Sequence, residues 1–124
     1  MSTIDQLLDG ASDKFVAAEV LINQDLFEDA VSRMFYGLLF CARALLLTKD
    51  LKLEDPEKVI SAFHTHVIKK GIMNKDMGTL LKETKKGAEK ADFNPTFRIS
   101  EEKVRKMMEQ CGQFMEQAED AAGG

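Results

Sequence analysis

Apolar residues recur along this 124-residue chain at three- and four-residue steps, the period of one helix face, and nowhere in the strict alternation of a half-buried strand. The first helical stretch runs from Thr3 to about Asn23 on Ile4, Leu7, Leu8, Ala11, Phe15, Ala18 and Ile22, with Gly10 as a weak point. Asp25, followed three residues later by Glu28, reads as a capping-box variant that opens a second helix from Leu26 to about Thr48. Asp55 before Pro56 sets an N-cap ahead of a proline whose missing N–H costs nothing at the first helical position. A third helix therefore runs from Pro56 to Lys70, closed by Gly71 in the left-handed conformation. Asn74 caps a fourth helix from Lys75 to about Lys90, carried by Met77, Leu80, Leu81, Thr84 and Ala88. Ser100 caps a fifth that reaches about Ala118, with Val104, Met107, Met108, Cys111, Phe114, Met115 and Ala118 on one face. Ala91 to Ile99 is the longest irregular stretch; the other connections are short, which favours antiparallel neighbours. The pattern predicts an all-α, up-and-down bundle of about five helices, one domain over residues 1–121 with 122–124 as a frayed tail.

The second helix departs from simple amphipathicity. Ala30, Val31, Met34, Leu38, Cys41, Ala42 and Leu45 form a broad core face, yet the reverse side carries Tyr36, Phe40 and Leu47 among Asp29, Arg33 and Arg43. A helix apolar nearly all round is buried on both sides, so this one is either central in its own bundle or covered by a second copy of the chain. The second case predicts a homodimer through Arg33, Tyr36, Phe40, Arg43 and Leu47.

Composition narrows the classes. Hydrophobic residues make up 44% and charged residues 31%, too apolar for a disordered chain, and 124 residues can close one core. The longest apolar run, Met34 to Ala42, stops at Arg43, short of the roughly 20 residues that span a bilayer; no secretory leader is evident, and a cytoplasmic location without membrane contact is expected. Cys41 and Cys111 sit inside apolar helical patterns without CxxC spacing and read as buried free thiols. A net charge of −4 gives no global pull on nucleic acid, so any phosphate contact must come from a local patch.

The run Ser32-Arg33-Met34-Phe35-Tyr36-Gly37-Leu38-Leu39-Phe40-Cys41-Ala42-Arg43-Ala44-Leu45-Leu46 resembles the signature helix of HEPN domains (higher eukaryotes and prokaryotes nucleotide-binding), in their short stand-alone prokaryotic branch. Phe63-His64-Thr65-His66-Val67-Ile68-Lys69-Lys70-Gly71 is similar to that branch's third-helix ending, and Ala91-Asp92-Phe93 to its alanine-aspartate-tyrosine turn. The resemblance spans roughly residues 26 to 118 and implies a helical bundle that dimerises and has a minimal nucleotidyltransferase as a frequent partner. It also implies, for many members, a ribonuclease built on an arginine with a histidine four to six residues later. Here none of Arg33, Arg43, Arg98 and Arg105 has that histidine. The expectation is a non-catalytic module that homodimerises and docks a nucleotidyltransferase or nucleotide-containing partner. The alternative is a metal-independent, toxin-like ribonuclease whose site is assembled across a dimer from Arg33, Tyr36, Arg43 and His66.

His64 and His66 are the only imidazoles, hence the only side chains whose ordinary pKa suits general acid–base work near neutrality. On a regular helix they lie about 200° apart and cannot hold one metal. No Gly-rich phosphate loop, triad or HExxH motif is present, and neither cofactor nor metal is called for. Lys75, Lys82, Lys86 and Lys90 line up opposite the apolar stripe of the fourth helix, within about 80° of arc, and are candidates for weak binding of nucleotide or RNA phosphates.

Overall fold

A computed structural model describes residues 3–123. Among these residues there are five α-helices and no strand: α1 (Ile4–Asn23), α2 (Phe27–Leu47), α3 (Pro56–Phe63), α4 (Lys75–Phe93) and α5 (Glu101–Gly123). A π-helical turn, His64–Ile68, prolongs α3. The predicted all-α bundle is the observed architecture.

Helix ends follow local chemistry. Thr3 and Gln6 form a reciprocal capping box on α1. Asp55 accepts the Lys58 N–H at 3.1 Å ahead of Pro56, and Ser100 accepts the Lys103 N–H at 3.1 Å at the start of α5. Gly71 has φ +73° and closes the third element as expected.

Asp25 does something other than the capping predicted for it. With φ +62° it closes α1: its N–H donates to the Ile22 carbonyl at 3.0 Å and the Leu26 N–H to the Leu21 carbonyl at 2.9 Å, the paired bonds of a Schellman end. α2 then begins at Leu26 without a side-chain cap, because the Glu28 carboxylate accepts the Ile99 N–H at 3.0 Å and ties the loop before α5 to α2. Asp50, also at φ +62°, ends α2 with the same bond pair.

Three other boundaries differ. α4 runs one turn beyond Lys90 and takes in Ala91–Phe93, which shortens the irregular stretch. α5 passes Ala118 to Gly123, since Ala121 still packs on the core; Gly124 lies outside the described residues. The third helix loosens into a π turn, with the Lys69 N–H reaching the His64 carbonyl at 2.9 Å, and this wider turn buries Val67 and Ile68 together.

The core is organised around α2. Its buried residues include not only the predicted face but also Phe35, Leu39, Ala44 and Leu46, because α1, α3, α4 and α5 all pack against it. The helix is long and apolar enough to cross a membrane by length and composition, but 72% of its most apolar window is buried inside the bundle. Neighbours approach at glycines. A methyl at Gly37 would meet the Phe15 ring at 2.5 Å, one at Gly87 would meet Val31 Cγ1 at 2.6 Å, and Gly10 seats the Phe40 ring at 3.1 Å. Across the core Phe63 of α3 stacks on Phe114 of α5, centroids 5.5 Å apart. Cys41 and Cys111 are free and buried, and Cys41 Sγ lies 3.5 Å from Met115 Sδ.

Gly37→Ala should destabilise the fold by about 1–2 kcal/mol, because displacing the packed Phe15 ring outweighs the roughly 1 kcal/mol that alanine gains in a helix. Urea unfolding measures it, and a more stable variant would show that the ring has room. Burial, with Glu119 nearby, pushes the Cys41 thiol up to about 12, and burial with Cys41 nearby raises Cys111. A raised folded-state pKa means that the contribution to stability is complete below the ordinary thiol value of 9.0 and lost as pH climbs from there toward about 12. Thiol reagents should react only on unfolding, and Cys41→Ala should flatten the alkaline fall in stability relative to wild type.

Candidate functional site: a basic groove between α4 and α5

Lys75, Lys82, Lys86 and Lys90 of α4 are all exposed, and with α3 and α5 on its flanks Lys82 lines one groove while Lys86 and Lys90 line another. Steps of four residues drift by about 40° each on a helix of 3.6 residues per turn, so Lys90 lies about 80° round α4 from Lys82. Lys82 faces α3, where it lines a groove of about 420 Å³ with Glu57, Ser61, His64, Thr65 and Lys85. Lys85 bridges Glu89 at 2.6 Å and Glu57 at 3.6 Å, and the bond to Glu89 raises its pKa. That groove is largely self-neutralised. Lys75, the first residue of α4, lines neither groove.

Lys86 and Lys90 face α5 and line a second groove of about 350 Å³ with Phe97, Arg98, Ser100 and Lys103. Four cations there oppose one carboxylate, Glu83. The floor is open because Gly87 has no side chain over Val31. The loop between α4 and α5 supplies an aromatic wall: Asn94 Oδ1 accepts the Thr96 N–H at 3.0 Å, Phe97 comes within 5.9 Å of Lys90 Nζ, and Arg98 Nη1 donates to the Phe97 carbonyl at 2.7 Å and to the Pro95 carbonyl at 3.2 Å. The Glu28 bond to Ile99 pins this loop from the other side. Phe97 and Arg98 lie in the loop with no helical periodicity to mark them, and only the return of that loop brings them, with Lys103 at the start of α5, to Lys86 and Lys90.

The residues proposed for catalysis are placed differently. Arg33 is exposed and Tyr36 is 37% exposed, its ring 5.3 Å from Phe35. Arg43 is mostly covered: its Nη2 lies 3.7 Å from Glu54, its guanidinium sits 5.7 Å over the Phe40 ring, and its buried Nε has no partner. His66 is half-buried on the π turn, while His64 is exposed; none of Arg33, Tyr36, Arg43 and His66 lines either polar groove. The supposed dimer stripe is partly covered within the chain too, since Phe40 rests on Gly10 and Leu47 is half-buried. Among the described residues no group of three or more His, Cys, Asp or Glu side chains could hold a metal ion.

Residues 4–121 match the family model for the HEPN domain. Two relatives from Methanocaldococcus jannaschii are named as candidate toxins: one is 27% identical over 105 residues, 85% of this chain and 71% of the relative, and the other 28% over 118 residues, 95% and 87%. A UPF0332 protein of Thermotoga maritima is 26% identical over 102 residues, 82% of this chain and 77% of its own length.

Arg43 gives a test of structural against chemical roles. Arg43→Met keeps the stem over Phe40 and removes the orphaned Nε, so stability should stay within about 1 kcal/mol of wild type or rise. Arg43→Ala loses the packing as well and should cost about 1–2 kcal/mol. Thermal unfolding of both variants distinguishes them; equal losses would mean that the charge itself holds the fold.

Proposed function

This chain belongs to the HEPN domain family, and we propose that it is a non-catalytic binding module whose groove between α4 and α5 holds the phosphates of a nucleotide-containing partner. The convergence of Lys86, Lys90, Arg98 and Lys103 around Phe97 carries this reading. Ammonium and guanidinium groups on one concave surface raise the local potential on a chain whose net charge is −4, and a phosphate held there gains several contacts at once. Phe97 offers a ring against which a base can stack, which suits a nucleotide better than free phosphate. A minimal nucleotidyltransferase, with its nucleotide, fits as the partner, and the toxin names of two relatives support a chain that works as one half of a pair. Pairing of two copies through the α2 stripe would rely on Arg33 and Tyr36, the two members of that stripe left exposed.

Titration of ATP and of a short single-stranded RNA tests the groove. Lys86→Glu/Lys90→Glu should weaken binding about tenfold or more at low salt, with an unchanged melting temperature, while Lys75→Glu stays within about twofold of wild type. Phe97→Ala should weaken RNA binding by about 1 kcal/mol or more through lost stacking. Equal affinity across all these proteins would sink the reading. The RNA should also stay intact; cleavage that disappears in His66→Ala would promote the ribonuclease alternative instead.

A further inference from the structure

A third groove, of opposite charge to the α4–α5 groove, lies between α1 and α5. Val16 and Val20, one turn apart on α1, are 61% and 54% exposed, unusual for valines on a helix otherwise committed to the core. Beside Val16 the partly buried Met108 and Met115 flank Gly112, where a methyl group would meet nothing within 4 Å. The result is an apolar trough with a notch in its floor. It continues past Glu19 and Met108 into an adjoining hollow lined by Ile22 and Arg105, so it follows α5 from Arg105 to Glu119, about 21 Å at 1.5 Å per residue. That length seats about four turns of a helix.

The rim is acidic. Glu19, Glu109, Glu116 and Glu119 line it, and its one cation, Arg105, is held by Glu101 at 2.8 Å. We infer that this trough docks a basic amphipathic helix of a partner protein, with the partner's apolar stripe on Val16, Met108 and Met115 and its lysines or arginines against the four glutamates. Methionine-lined surfaces adapt to varied side chains, and helix-in-groove recognition uses this combination of apolar floor and charged rim. A second copy of the chain is a poor occupant. Two such faces brought together would oppose glutamate to glutamate, and the basic face of α4, with Lys75, Lys82, Lys86 and Lys90, offers a single large exposed apolar residue, Phe93 at its last position, where the trough takes an apolar stripe several turns long. An acidic rim likewise repels nucleic acid, so this surface is separate in chemistry from the α4–α5 groove.

The probe is a fluorescent amphipathic helical peptide of leucine and lysine, about 18 residues long, read by anisotropy at low salt. It should bind wild type, and Gly112→Leu, which plugs the notch at an open helical position, should weaken it about tenfold. Glu19→Lys/Glu116→Lys should weaken it by at least as much, whereas Asp76→Lys/Asp92→Lys, the same charge change on α4, should stay within about threefold of wild type. The leucine–glutamate version of the peptide should not bind. If Gly112→Leu loses its helical circular dichroism, Val16→Lys, at an exposed position of the groove, serves in its place. Indifference to these groove substitutions, or equal loss in the α4 pair, overturns the proposal. So does wild-type self-association in sedimentation that Gly112→Leu abolishes, which would assign the face to a second copy.

Discussion

A helix surrounded by four others must let them come close, and against α1 and α4 the α2 helix does so at glycines, its own or its neighbour's. Gly37 accepts the Phe15 ring of α1, Gly10 of α1 accepts Phe40, and Gly87 of α4 accepts Val31. Each contact removes large apolar surface from water, worth about 1.5–3 kcal/mol for a fully buried side chain of that size. The cost is that α2 has almost no free surface. Arg43, Phe40 and Leu47, which on an isolated helix would form an open stripe, are half covered by α1 and by the chain between α2 and α3, and the orphaned Arg43 Nε marks the tightness of that cover. The most distinctive segment of the sequence therefore acts chiefly as packing. The polar grooves lie on the outer helices.

On those outer helices charge is segregated along α5. Its N-terminal end contributes Ser100 and Lys103 to a cationic groove with α4, and its C-terminal half contributes Glu116 and Glu119 to an anionic trough with α1. A net charge of −4 conceals both. With a screening length of about 10 Å at 0.1 M salt, Lys103 and Glu116, about 20 Å apart along α5 at 1.5 Å per residue, are largely screened from each other. One helix can thus serve two surfaces of opposite sign, with neither weakening the other's field at the concentrations found in cells.

Much of this was legible in the sequence, and the reasons for the rest are specific. Helix number and core faces followed from periodicity, since each apolar stripe had somewhere to be buried; Asp55-Pro56 and Gly71 marked ends because their backbone demands are local. Asp25 misled because aspartate serves both as an N-cap and, less often, in the left-handed region, and three residues between helices leave both roles open. The lysine row looked continuous because the 40° drift per step is small on paper. Only the positions of α3 and α5 divide it, with Lys82 on one side and Lys86 and Lys90 on the other. Phe97 and Arg98 belong to a loop whose course depends on a side chain 71 residues away, Glu28, and no local pattern encodes that.

The π turn shows how packing can rearrange chemistry that a sequence offers. A regular helix through His64 and His66 would carry Val67 inward and turn Ile68 toward solvent, while Met73 beyond Gly71 also needs cover from the core. Widening one turn, with the Lys69 N–H bonded to the His64 carbonyl, buries Val67 and Ile68 side by side. The histidines follow the backbone: His64 swings to the rim of the α3–α4 groove beside Lys82, and His66 is left half-buried outside it. Two imidazoles two residues apart are thereby assigned to different surroundings by a hydrophobic demand three residues away. Neither His64 nor His66 shares a polar groove with Arg33 or Arg43. The fold alone decides little about activity; the loops and helix ends at its surface decide what can be bound.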